Sequence, residues 1–374
     1  MLFDYLLYKE IIFFFRVYFF IFFFSCIVLF FINFFNKFDL NFFIILNKSN
    51  LNNFKFFVLL LIIFNSIMNL FLIVCLHIFY FNYYKYEFNS FSITNNDYLI
   101  LGNLISIPFF NLTLFSLSKF NLSFLILFNL LYPIIFSFLT YDFNCYNDDL
   151  YLKFYYVFFL SYIILFTENI ILFYFCYELL LILVYIIMIR SSNSRGLIEA
   201  SLFYLGWAIL GSIFVGLGFL ILILKTNCSY FFFLKFNKLT SNEVYYIYIL
   251  LFFGFGVKLS IWPFWYWLPK AHVEVSTGMS IFLSCILIKL SLFSLLRLQH
   301  CLLSEISFNI CIFVSLLCTF DIVIRFVNLQ DLKAMIAYGS VLHTNLLVAL
   351  IHLDSFKSLK NSIFYIWGHS LSTT

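Results

Sequence analysis

Charge is what this chain has least of: 21 Lys and Arg with 17 Asp and Glu among 374 residues, 10% of the total. So few charges cannot cover the surface of a soluble domain of this length, which excludes an ordinary soluble enzyme. The net charge of +4 is too small for a nucleic-acid footprint, and no nucleic-acid partner is expected. The nine cysteines stand singly in apolar runs, with no C-x-x-C pair. Packing as small hydrophobes is therefore expected over disulfides, and no metal site is expected.

What is there is apolar. Hydrophobic residues make up 64% of the chain, with 59 Phe and 26 Tyr, the composition of an integral membrane protein. The surplus of Phe, Tyr, Ile and Asn is what an AT-biased genome writes, and it points to an organellar gene. No Arg- and Ser-rich leader is visible; the run after Met1–Glu10 exceeds a signal-peptide core and reads as a first span.

A helix crosses a bilayer in about 20 apolar residues, and on that rule we count about eleven spans. They lie near 11–35, 54–81, 120–140, 151–168, 169–190, 197–224, 244–263, 276–298, 305–327, 332–353 and from 358 onward. The segment 103–118, broken by Pro108, Asn111 and several Ser and Thr, reads as a packed or re-entrant piece rather than a span. Lys and Arg divide evenly between alternate loops, so the positive-inside rule leaves the orientation open. No joint is long enough for a soluble domain, and membrane lipids are expected contacts.

The stretch Gly254–Arg297 concentrates the chemistry. It holds two apolar helices with one lysine each, Lys258 and Lys289, joined by a segment with Pro263 and Pro269. An ammonium at membrane depth faces a bundle interior or a wet cavity, and an interrupted span is tolerated only where protein or water covers it. With Lys270, His272 and Glu274 between the two helices, the pattern points to an ion path. A kinked span with a snorkelling lysine is the competing reading. Glu178, mid-span in FYFCYELLLILVY, would be protonated unless a cation or water supports it. Lys258 is the matching cation, and a switchable pair or a static ion pair are both open. His272 and Glu274 fit either a loop surface or the mouth of a proton path. Asp321 and Arg325, four apart, are expected to pair structurally; His77, His300 and His352 have no pattern around them.

WLPKAHVEVS followed by ILIKLSLFSLLRL resembles the proton-pumping, antiporter-like chains of respiratory complex I, and AHVE is similar to the chain-4 branch of that family. The likeness extends from about Leu117 to Thr374. FYFCYE is similar to the family's FYxFFE, which assigns its glutamate role to Glu178, with Leu183 where a proline usually stands. Lys258 and Lys289 match the family's two lysines; Ser260 replaces a proline and Trp265 a histidine. DLKAMIAYGSVLH resembles DLKxxIAYSSVxH, which implies His343 as a relay group, and WGHSLSTT implies His369 as the next.

The resemblance implies an all-α polytopic fold of inverted five-helix repeats with a discontinuous helix. Residues 1–150 would hold N-terminal helices, 151–298 a first repeat and 305–374 the start of an incomplete second. A second polypeptide continuing the fold after Thr374 is the resulting expectation. The implied activity is proton translocation coupled to quinone reduction in mitochondrial NADH:ubiquinone oxidoreductase, in the inner membrane, beside other membrane-arm subunits and neighbouring antiporter-like chains. No cofactor is expected in this chain; NADH, FMN, Fe–S clusters and ubiquinone would belong to other subunits. The implied relay runs Glu178, Lys258, Lys289, His343, His369, with His272 and Glu274 at its mouth. Two alternatives stay open: a multisubunit cation/proton antiporter, and a non-pumping scaffold.

Overall fold

The structure, a computed structural model, describes residues 119–142, 148–191, 194–234, 239–302, 309–353 and 356–373. The expected spans at 11–35 and 54–81, the piece at 103–118 and Thr374 lie outside the described residues. Among the described residues, helices account for nearly all regular structure, and the one isolated β-bridge joins Asn169 to Tyr230. The described residues form two compact units, 119–136 with 148–162, and 137–142 with 163–373.

The first unit is made of most of α1 (Lys119–Asp142) and α2 (Asp148–Phe166). Apolar helices carry no polar face, so their few polar groups must pair across the contact. The Tyr132 and Ser161 hydroxyls meet at 2.6 Å, and the Tyr162 hydroxyl donates to Asn129 Oδ1. The Tyr132 and Phe158 rings pack edge to face at 4.0 Å.

The second unit holds α3 (Ile170–Ser191), α4 (Arg195–Thr226), α5 (Ser241–Lys258) and α6 (Trp267–Glu274). It continues with α7, made of Thr277–Phe282, the π-helical turn Leu283–Leu287 and Ile288–Leu302. Then follow α8 (Asn309–Phe326), α9 (Leu332–Ile351) and α10 (Phe356–Thr373). Five of the described helices are long and apolar enough to cross a membrane.

Burial ranks these helices. The span within α7 is 89% buried and that of α8 only 22%, so α7 is the axis of the unit and α8 belongs to its periphery. An axis rich in serine is possible because Ser284, Ser291 and Ser294 each donate to carbonyls of their own helix.

The α4–α5 contact depends on glycine. A Cβ on Gly254 would lie 2.7 Å from the Val215 amide nitrogen and 3.0 Å from the Gly211 carbonyl oxygen. Only a residue without a side chain lets the two backbones approach this closely. Gly254 lies one turn before Lys258, so this approach also sets where the lysine sits.

The interruption after α5 differs from the sequence expectation. The helix stops at Lys258, and the turn comes at Ser260, in the left-handed region at φ 55°. That lies ahead of Pro263. Pro269 breaks nothing: it is the third residue of α6, where the amide has no partner within the helix to lose. The tetrapeptide AHVE is accordingly helical rather than loop.

Candidate functional site

An interrupted helix inside a bundle leaves carbonyls that need donors. Here each is met. The Trp267 indole N–H donates to the Val257 carbonyl at 2.8 Å, and the Ile261 amide to Gly256 at 2.9 Å. The Ser260 carbonyl accepts from Asn345 Nδ2 at 3.3 Å and from the Cys318 thiol. The last residue of the broken helix is Lys258, only 4% exposed. A cation is favoured at a helix C-terminus, where the backbone dipole is negative.

Lys258 has two neighbours on α3. Its Nζ lies 3.7 Å from Glu178 Oε1 and 3.6 Å above the Tyr177 ring centre. The Glu178 oxygen is buried and accepts no hydrogen bond, while a quarter of its side chain is exposed. The contact is therefore electrostatic and loose, without the bonds that would fix it.

Lys289 is fully buried on α7, just past the π-helical turn. That turn matters. The Ile288 amide donates five residues back to Leu283 instead of four back to Ser284. The Ser284 carbonyl then takes the Lys289 ammonium at 2.9 Å. On its other side Lys289 Nζ meets His369 Nδ1 at 2.6 Å, close enough for one proton to be shared between amine and imidazole. His369 is buried, and its ring lies 5.5 Å from that of His343. His343 is exposed, and its Nδ1 meets the Tyr365 hydroxyl at 2.7 Å. The order is thus Lys289, His369, His343, the reverse for the two histidines of the order the sequence implied. The physical reason is helix packing: α10 lies between α7 and the exposed face of α9 at this level.

The expected cluster of Lys270, His272 and Glu274 is dispersed by the helical form of α6. Lys270 reaches out to Glu199 at 3.2 Å. Glu274 is exposed, with its carboxylate against Gly196 in the first turn of α4, a favourable place for an anion. His272 turns inward, 6% exposed, and its Nε2 has no hydrogen-bond partner.

Several residues escaped the sequence reading. Glu168 and Arg297 form a buried ion pair at 2.6 Å, with the guanidinium stacked 4.3 Å from the Phe231 ring centre. His352 is buried and bonded to the Tyr248 hydroxyl at 2.8 Å. Asp321 and Arg325 do pair, at 3.2 Å, and Asp321 also accepts from the Trp265 indole at 3.1 Å. Among the described residues no group of three His, Cys, Asp or Glu side chains could hold a metal ion.

One buried lysine stands at a helix break beside a carboxylate and the other beside a histidine line; ionisable groups inside membrane-spanning helices are candidates for an ion or proton path. A family profile described as NADH:quinone oxidoreductase/Mrp antiporter, TM matches residues 167–374, more than half of the chain. The chain belongs to that family. The stretch matched contains every ionisable residue of the site just described.

Among curated relatives, NADH-ubiquinone oxidoreductase chain 4 of Paramecium tetraurelia is 36% identical over 220 residues, 58% of this chain and 46% of its own length. The chain spans about half the length of the curated relatives it matches. Among solved structures, an Mrp complex from a Dietzia species contains a similar chain. Its TM-score is 0.65 at 18% identity, over 69% of this chain and 49% of that one. Respiratory complex I from Thermus thermophilus with bound aureothin contains another, with TM-score 0.58 at 14% identity, covering 87% and 69%. These structural likenesses establish the antiporter-like helical membrane fold.

Proposed function

We propose that this chain is a proton-translocating membrane-arm subunit of a mitochondrial NADH:ubiquinone oxidoreductase, working in the inner membrane beside other antiporter-like subunits. The observation that carries the reading is the loose Glu178–Lys258 contact at the interrupted helix, 3.7 Å apart. The chain-4 relatives support this setting over a cation/proton antiporter.

The mechanism is a charge-pair switch. Glu178 near Lys258 favours the ammonium; when a neighbouring subunit moves the carboxylate away, burial favours the neutral amine and the proton leaves. It passes to Lys289, from there across the 2.6 Å contact to His369, and on to His343. Moving one charge against a membrane potential takes about 2.3 kcal/mol per 100 mV, which the switch has to supply. Electron transfer and its cofactors belong to other subunits in this reading.

Lys258→Ala tests it. In the assembled complex, proton translocation should fall to background with assembly retained, measured as protons moved per electron pair in vesicles. Normal translocation in that variant removes the lysine from the mechanism.

A further inference from the structure

The turn that ends α5 is not one a serine takes unaided. Ser260 stands at φ 55°, where a Cβ crowds the neighbouring carbonyl and which glycine, with some Asn and Asp, visits routinely. A proline, the residue of the family's pattern at this position, is ruled out there, since its ring fixes φ at about −65°. This chain therefore breaks the helix by other means. Such conformations persist where the surrounding structure dictates them, and Ser260 is wholly buried.

The surroundings offer two donors, both from outside the helix that ends here. Asn345 of α9 donates from Nδ2 to the Ser260 carbonyl at 3.3 Å and to the Val341 carbonyl of its own helix at 2.8 Å. Both acceptors are carbonyls, so only the NH2 end of the amide can face them, one hydrogen to each. The Val341 bond fixes the side chain on α9, and the Ser260 bond carries that position across to the break. Cys318 of α8 adds its thiol at 3.7 Å, a weak donor. The Ser260 hydroxyl donates to the Leu259 carbonyl at 2.6 Å and leaves its own carbonyl to those two. Asn345 and Cys318 are both fully buried, so bulk water does not compete.

We infer that Asn345 is a positioning residue for Lys258: its amide holds the left-handed turn at Ser260, and with it the place of the ammonium two residues earlier. The inference rests on the proton-translocating reading above and deepens it with a residue that handles no proton itself. Lys258 is the last residue of α5. With the turn released, that last turn of helix is free to continue past Lys258, and Nζ leaves its place 3.7 Å from Glu178 and 3.6 Å above the Tyr177 ring. Those distances decide how strongly the carboxylate supports the ammonium, and so where the lysine titrates. His343 lies two residues before Asn345, on the exposed side of the same helix. The helix that carries the outer histidine of the line thus also holds the lysine at its start.

The test is Asn345→Leu in the assembled membrane complex, made alone and together with Ser260→Gly. Leucine keeps the branched shape and removes the donor. Glycine takes the left-handed conformation without strain, so the turn no longer needs the amide. Translocation is normalised to assembled complex and followed across pH, with Lys258→Ala in parallel. Loss of one hydrogen bond at the turn should slow translocation about threefold to tenfold and move the pH profile. In the Ser260→Gly background the same change should slow it less than about twofold, as expected of two residues acting through one contact. Should Asn345→Leu alone prevent assembly, Ser260→Gly should restore it. Equal losses in the two backgrounds, an unmoved pH profile, or an assembly defect that glycine does not repair would mean that Asn345 acts through packing alone, and the inference fails. If Asn345→Leu changes nothing while Lys258→Ala abolishes translocation, the positioning role is overturned and the proposed function stands. Normal translocation in Lys258→Ala removes the proposed function and the inference with it.

Discussion

Two acid–base pairs are buried in this unit, and they are built to opposite ends. Glu168–Arg297 closes at 2.6 Å, with both side chains under a tenth exposed and the guanidinium stacked on Phe231. Glu178–Lys258 stays open at 3.7 Å, with a quarter of the carboxylate exposed. The first pair uses a cation that keeps its charge at any accessible pH; the second uses one whose proton affinity responds to burial. In the proposed mechanism the same chemistry therefore serves as a fixed joint at one place and as an adjustable one at another. Distance, exposure and the choice of Arg or Lys make the difference.

The most direct way to break that comparison is to remove one partner from each pair. Glu168→Ala strands a buried guanidinium and should cost about 3–5 kcal/mol, seen as a lower melting temperature of the complex and less of it assembled. Glu178→Gln leaves behind a lysine that can shed its proton, so stability should change little while translocation drops. Equal stability losses in the two variants would mean that both pairs are joints. Lys258→Arg sharpens the point: the ion pair survives, the proton can no longer leave, and translocation should fall to background.

Gly254→Ala probes the frame of the adjustable pair at a smaller scale. The added methyl meets the Val215 amide nitrogen at 2.7 Å and the Gly211 carbonyl at 3.0 Å. Backbone atoms cannot rotate away, so α4 and α5 must part, at about 1–3 kcal/mol. Because Lys258 rides on α5 one turn later, translocation should fall together with the melting temperature. The Glu168–Arg297 joint involves neither helix and should be untouched.

The adjustable pair was legible in the sequence and the fixed one was not, for a physical reason. Glu178 and Lys258 interrupt long apolar runs, where a charge has no cheap explanation. Glu168 sits between Thr167 and Asn169 at the joint of α2 and α3, where a carboxylate reads as a solvated turn residue. Its burial comes from Phe231 and Arg297, far away in sequence. Helix positions from 119 onward were readable because bilayer length and apolar composition determine them. The manner of the break was not: Pro269 lies harmlessly in a first turn, whereas Ser260, marked in sequence only by the proline it replaces, takes the left-handed conformation. Nor could spacing reveal the π-helical turn that frees the Ser284 carbonyl for Lys289, or the order of His369 and His343, since both depend on how three helices meet.

A third pair, fully outside the bundle interior, supplies the smallest effect and the control for the other two. Glu243 sits in the first turn of α5, bonded to Lys225 at 2.8 Å and closing a capping box with Thr240. The Lys225 hydrogen bond, followed by those from Thr240, pulls its carboxyl from 4.5 down to about 2. A carboxyl with a lowered folded-state value adds stability above its unfolded value and loses it as pH falls through the folded one. Any contribution from Glu243 should therefore be present at neutral pH and fade between about 4.5 and 2. Being exposed, the pair is weakened by salt as the buried pairs are not. Glu243→Gln should thus shift the acid-unfolding midpoint slightly, lose even that shift at high ionic strength, and leave translocation unchanged. A translocation defect there would mean that the end of α5 nearest water, and not only its broken end, takes part in moving the proton.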